Sequence, residues 1–155
     1  MSSQTKSRVQ QSTEIALPRG TVIVYTVVAL VSLAGLADAT YLFVQNLAGA
    51  TAVCGGSADC FRVLGSAYAK IAGIPVAAIG AVAYFAVFTF ATFAAFGYQR
   101  APTFLAVTVF MMFVATLWFL YVQAFLLHAF CRYCLFSAAI TFFLTGLIVA
   151  TPRRA

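Results

Sequence analysis

Four long apolar runs, each bounded by a few polar, glycine or proline positions, set the pattern of this chain. They cover about residues 21–44, 74–96, 102–127 and 131–150. Each approaches or exceeds the roughly 20 apolar residues a helix needs to cross a ~30 Å hydrocarbon core. The fourth is short when counted from Cys134 and reaches spanning length when counted from Cys131. Runs this long without period-two alternation argue against strands, and their recurring Ala and Gly favour helices packed closely in lipid. The pattern predicts an all-α membrane protein, a four-transmembrane-helix bundle over residues 19–151. Residues 1–18, rich in Ser, Gln and Thr, read as a disordered cytoplasmic tail. Residues 45–73 form the one long connection, and a loop of that length in a compact bundle is usually functional.

Punctuation refines the elements. Gly73-Ile74-Pro75 is expected to open the second helix with Pro75 in its first turn. The stretch Phe61 to Lys70 is amphipathic enough for a short surface helix capping the outer face. The connection from His128 to Arg132 is so short that the third and fourth helices must be antiparallel neighbours. The first run is too long for a signal-peptide core, and Asp38 separates the small residues Ala37 and Ala39, so it reads as a retained helix.

Composition supports the membrane reading. The 155 residues are 64% hydrophobic and 8% charged, against about 25% charged in an average soluble domain, which excludes a soluble monomer. The net charge of +6 comes from nine Lys and Arg scattered among the apolar runs. No basic stripe with interleaved aromatics exists, so no nucleic-acid partner is expected. Lys6, Arg8, Arg19, Arg100, Arg153 and Arg154 fall on one side of the bundle; Arg62, Lys70 and Arg132 fall on the other. The positive-inside rule then places both termini in the cytoplasm. All four cysteines lie on the opposite, extracytoplasmic side, where disulfides persist.

Those cysteines, Cys54, Cys60, Cys131 and Cys134, carry the candidate chemistry. Structural staples are one reading, and Cys54–Cys60 alone could close the loop. Cys131 and Cys134 sit within one helical turn and would constrain the unfolded chain little. A tetrahedral zinc site is a second reading, but the C-x5-C half-site is unusual and no metal is expected. The third is a relay of two exchangeable pairs. A thiol at a helix N-terminus faces unpaired N–H groups and the positive end of the dipole, which favours thiolate. Arg132, between the two cysteines, adds positive potential. A disulfide could then pass between the pairs through mixed intermediates, with a lipid-soluble quinone as the final two-electron acceptor.

The order of these pieces resembles the vitamin K epoxide reductase family, in particular its bacterial and archaeal disulfide-forming members. The matching residues are Gly35-Leu36-Ala37-Asp38-Ala39-Thr40-Tyr41-Leu42, Cys60 with Ser66 six residues on, Gly73-Ile74-Pro75, Gly80, Tyr84, and Phe130-Cys131-Arg132-Tyr133-Cys134. The resemblance implies a quinone-dependent thiol oxidoreductase in a bacterial or archaeal plasma membrane. In it, Cys131/Cys134 would be the membrane-side redox centre, with Cys134 facing the quinone and Cys131 exchanging with the loop. Cys54/Cys60 would be the shuttle pair, and Ser66 the family's hydroxyl beside the centre, steadying a thiolate or donating to a quinone oxygen. The acceptor would be of ubiquinone or menaquinone type. Which loop cysteine attacks Cys131 stays open.

Two departures from the family matter. Animal epoxide reductases place an Asn near the start of the second helix and a Tyr one turn after C-x-x-C; here those positions are apolar, around Val76 and Ala138. The fused thioredoxin-like domain of many bacterial members is absent before Ala155, so a separate thioredoxin-like disulfide oxidase is the expected partner, besides membrane lipid. The rival readings are a quinone or vitamin K epoxide reductase and a non-enzymatic scaffold with structural disulfides. Asp38, an acid within a span, is a candidate cofactor contact or a structural hydrogen-bond partner. His128, close before Cys131, is a packing residue or a proton donor to the quinone. Asp59 and Arg62 flank Cys60 with opposing effects.

Overall fold

The computed structural model describes residues 17–48 and 58–151. Cys54, the Gly55-Gly56-Ser57 stretch, most of the N-terminal tail and Arg153/Arg154 lie outside them. Four helices are long and apolar enough to span a membrane. Helix α1 runs Arg19–Leu47, a short α2 covers Ala58–Leu64, and α3 covers Val76–Ala95. Helix α4 is Ala101–Tyr121, continued by a π-helical turn over Val122–Leu127, and α5 is Arg132–Ala150. In the packed bundle α1 lies against α3 and α5, and α4 against α3 and α5.

The core is made of small and medium side chains, among them Val28, Val87, Ala91, Leu105, Val109 and Leu144. Association in lipid depends on close approach rather than on hydrophobic exclusion, and Gly35 shows it. A Cβ there would lie 2.6 Å from Tyr84 Cδ1, so α1 meets α3 only because the position is glycine. Ile23, Leu30, Phe85, Phe104, Met111 and Val149 instead cover the outside, the surface that lipid solvates. Several hydroxyls within the spans are satisfied locally: Thr26, Thr92, Thr108 and Thr145 each donate to the carbonyl four residues back. Without water, that internal pairing is what makes them tolerable.

The turn from α3 to α4 is a Schellman motif. Gly97, at φ 89°, allows Gly97 N–H to reach Ala94 O at 3.1 Å and Tyr98 N–H to reach Phe93 O at 3.1 Å. Phe93 and Tyr98 rings close over it at 5.3 Å.

At the end of the bundle that carries the cysteines the structure departs from two local expectations. The short helix comes earlier than Phe61–Lys70, at Ala58–Leu64, and a 3₁₀ turn follows at Ala67–Ala69. Lys70–Ile71 and Ile74–Pro75 then pair as a minimal antiparallel hairpin. Its two-residue turn has positive φ at both Ala72 and Gly73, the geometry that matches strand twist. Pro75 therefore stands at the N-cap of α3 rather than in its first turn.

Candidate functional site

Helix α2 buries Cys60 and Val63 against Ala129, Cys131, Leu127 and Cys134. Its short length suits this task, because Cys60 and Val63 share one face at i, i+3 spacing. Cys60 is 2% exposed and Cys131 fully buried. Their sulfurs lie 3.9 Å apart. Cys60 is disulfide-bonded, whereas Cys131 and Cys134 are free thiols. The structure thus brings Cys60 to Cys131, and Cys54 lies outside the described residues.

Cys131 is the N-cap residue of α5, in extended conformation, and its carbonyl accepts Leu135 N–H at 2.9 Å. Its thiol is held down at about 6 from the usual thiol value of 9.0, first by the hydrogen bond from Cys134 and then by the N–H groups of Cys134 and Tyr133, against the opposing effect of burial. Arg132 contributes differently from the sequence expectation. It is exposed and lies over the Tyr133 ring at 5.7 Å, and that ring in turn meets Tyr41 at 5.9 Å.

A cavity of about 430 Å³ lies beside the thiol pair, and Cys134 stands in its wall together with Asp38, Ser66, Tyr84, Gln123 and Ser137. The remainder is mostly hydrocarbon, including Val76 and Ala138. Ile79 on α3 and Met111 on α4 belong both to this wall and to the exposed surface of the bundle. Asp38 places Oδ2 in a buried position without a hydrogen-bond partner among the described residues. Ser66 Oγ donates to Val63 O at 2.8 Å, which fixes the end of α2. Tyr84, 2% exposed, donates to Ser137 O at 3.0 Å and meets Ser137 Oγ at 2.8 Å and Thr141 Oγ1 at 3.2 Å. His128 is exposed, in left-handed conformation at φ 49°, and is not among the described residues lining the cavity. Asp59 is also exposed.

Sequence reasoning passed over Gln123. It is 3% exposed and sits in the π-helical turn. Its Oε1 accepts Cys131 N–H at 3.1 Å, and its main-chain carbonyl accepts Ala129 N–H at 3.1 Å. The available signal was an amide inside an otherwise apolar run, which is costly in lipid unless partnered.

A helical membrane bundle with a loop sulfur against the buried Cys131 thiol, its neighbour Cys134 half-buried, and a cavity beside that pair defines an integral-membrane protein suited to thiol redox chemistry. The model of the vitamin K epoxide reductase family matches residues 26–149, and the chain belongs to that family. Membership makes it a membrane oxidoreductase, either a thiol oxidoreductase or a quinone-linked reductase. No curated protein sequence matches the chain.

Proposed function

We propose that this protein oxidises a thioredoxin-like dithiol partner on the extracytoplasmic side and delivers the electrons to a membrane quinone. The observation that carries the reading is the 3.9 Å separation of Cys60 and Cys131 sulfurs, with Cys134 on the cavity side of the same pair. In the first step the partner dithiol reduces the Cys54–Cys60 disulfide and leaves with its own disulfide formed. Cys60 thiolate then attacks Cys131 Sγ of an oxidised Cys131–Cys134 pair. The Cys60–Cys131 bond forms, the Cys131–Cys134 bond breaks, and Cys134 departs as thiolate. Cys54 next attacks Cys60, closing the loop disulfide and expelling Cys131. A thiol held at about 6 leaves readily. Free Cys131 and Cys134 beside a disulfide-bonded Cys60 support this order of steps.

A quinone, when bound, accepts two electrons and two protons. The cavity fits such a group: its volume lies within the roughly 300–1,000 Å³ of small-molecule sites, and it is apolar with few polar groups. The buried Oδ2 of Asp38 can hold a proton there, which we assign as its role. We leave Ser66 the supporting part of fixing α2, since its proton is committed to Val63 O. The exposed side chain of His128 suits proton exchange with the outer aqueous phase. Val76 and Ala138 present hydrocarbon where epoxide reductases of the family resemblance carry Asn and Tyr, which favours quinone over epoxide as acceptor.

The test uses the full chain in nanodiscs with a reduced thioredoxin-like donor and a short-chain ubiquinone. Cys131→Ala and Cys134→Ala are each expected to abolish quinone reduction, and unimpaired turnover in either would sink the reading. Thiol trapping in cells separates a relay, whose cysteine redox states follow quinone supply, from permanently oxidised staples. Robust conversion of a quinone epoxide with a dithiol would move the assignment to epoxide reduction.

A further inference from the structure

Gln123 sits in the span of α4 and its π-helical continuation, where an amide has no water to satisfy it. Its surroundings account for only part of its hydrogen-bonding capacity. Cys131 N–H needs an acceptor, so the side-chain oxygen must be the end that faces it. The planar amide then directs its NH2 group away from Cys131. Among the described residues no acceptor meets that group, and Gln123 stands in the cavity wall with Cys134. The local backbone is shaped for this arrangement. The π-helical turn over Val122–Leu127 widens the helix, and left-handed His128 reverses the chain so that Cys131 returns to a residue eight positions earlier. Both are departures from regular geometry that collect at functional sites.

We propose that Gln123 is a two-sided positioning and binding residue. Its Oε1 holds the main chain of Cys131, and its Nε2 donates a hydrogen bond to a carbonyl oxygen of a quinone in the cavity. This inference rests on the reading of the cavity as a quinone site. One rigid amide then ties the seat of the electron acceptor to the main chain of the sulfur that exchanges with the loop. Occupancy of the cavity favours the amide orientation that fixes Cys131, and a fixed Cys131 leaves the donor already aimed at the ligand.

Gln123→Glu tests the two-sided geometry through a property that a packing role lacks. When protonated, a glutamic acid accepts from Cys131 N–H with its carbonyl and donates to the ligand with its O–H; when ionised, it has no donor. Binding of a short-chain ubiquinone to the oxidised full chain is measured by calorimetry across pH, with wild type at each pH as reference. The Gln123→Glu affinity is expected to match wild type at low pH and to fall on raising the pH through one ionisation. Gln123→Met is expected to bind about 3- to 10-fold more weakly at every pH, the size of one lost neutral hydrogen bond. A flat Gln123→Glu ratio, or wild-type affinity in Gln123→Met, overturns the proposal. If neither variant folds, wild type labelled with [15N]cysteine still decides. Exchange of the Cys131 amide proton is expected to slow when the ubiquinone is added, and an unaltered rate overturns the coupling. Failure of wild type to bind any ubiquinone instead removes the quinone reading itself.

Discussion

Cys134→Ala isolates what holds the Cys131 thiol down. The largest contribution is the hydrogen bond from Cys134, and burial works against it. Without the donor, the ionisation of Cys131 should move from about 6 to its ordinary 9.0 or above. At pH 7 the thiolate fraction then falls about 90-fold, from roughly nine-tenths to roughly one-hundredth. Rate does not follow in proportion, because the more basic thiolate is intrinsically about 20-fold more nucleophilic for a Brønsted slope of ~0.45 over three units. The net slowing at pH 7 is therefore only about 3- to 6-fold. At pH 10 the order inverts, and the variant should react about 20-fold faster than wild type. The assay is the rate at which reduced Cys131 is consumed by a small neutral disulfide, read by mass spectrometry as loss of the reduced chain, because in wild type Cys134 resolves the mixed disulfide into the Cys131–Cys134 bond and releases the small thiol. It is run on a background carrying Cys54→Ser and Cys60→Ser. The sign is fixed by the direction of the shift: wild type reacts at a plateau above about pH 7 and loses reactivity below about 6. A variant profile with its midpoint still near 6, or no crossing of the two curves, refutes the argument that Cys134 sets this ionisation.

Other outcomes follow from the same geometry. With Cys54→Ala and Cys134→Ala combined and a small disulfide added as two-electron oxidant, Cys60 and Cys131 should join, since their sulfurs need to close from 3.9 Å to the ~2.05 Å of a disulfide. Faster bonding of Cys54 to Cys131 in the Cys60→Ala, Cys134→Ala protein would reverse that assignment, as peptide mapping would show. Gly35→Ala pushes a methyl group into the Tyr84 ring and should destabilise by about 1–3 kcal/mol, seen as a lowered thermal unfolding midpoint in detergent. Tyr84→Phe removes the link from α3 to Ser137 and Thr141 on α5; a loss of about 0.5–1.5 kcal/mol is expected in the same measurement.

The four-helix membrane fold was legible because spanning is a local property. Length and apolar content of a continuous segment decide it, and all four runs meet both conditions. The family was legible for a related reason: Cys60, Ser66, Gly73-Ile74-Pro75, Tyr84 and the C-x-x-C keep their order along the chain. The hairpin at Ala72–Gly73 was not, since Ala gives no sign of adopting positive φ. Arg132 misled because adjacency in sequence was taken as proximity of charge, whereas its side chain turns outward onto Tyr133.

By itself, then, the sequence determined the number and character of the helices, the family, and the cysteines to which the chemistry is assigned in our proposal. Only the tertiary structure decided that Cys60 is the loop sulfur set against Cys131, that the low ionisation of Cys131 depends first on Cys134, and that Gln123 holds the intervening main chain. The reason is physical. Partitioning into a membrane sums over consecutive residues, but a sulfur–sulfur approach or an amide clamp depends on how helices rotate and where a π-helical turn resets the register. Small residues such as Gly35 set those quantities through packing between segments far apart in the chain.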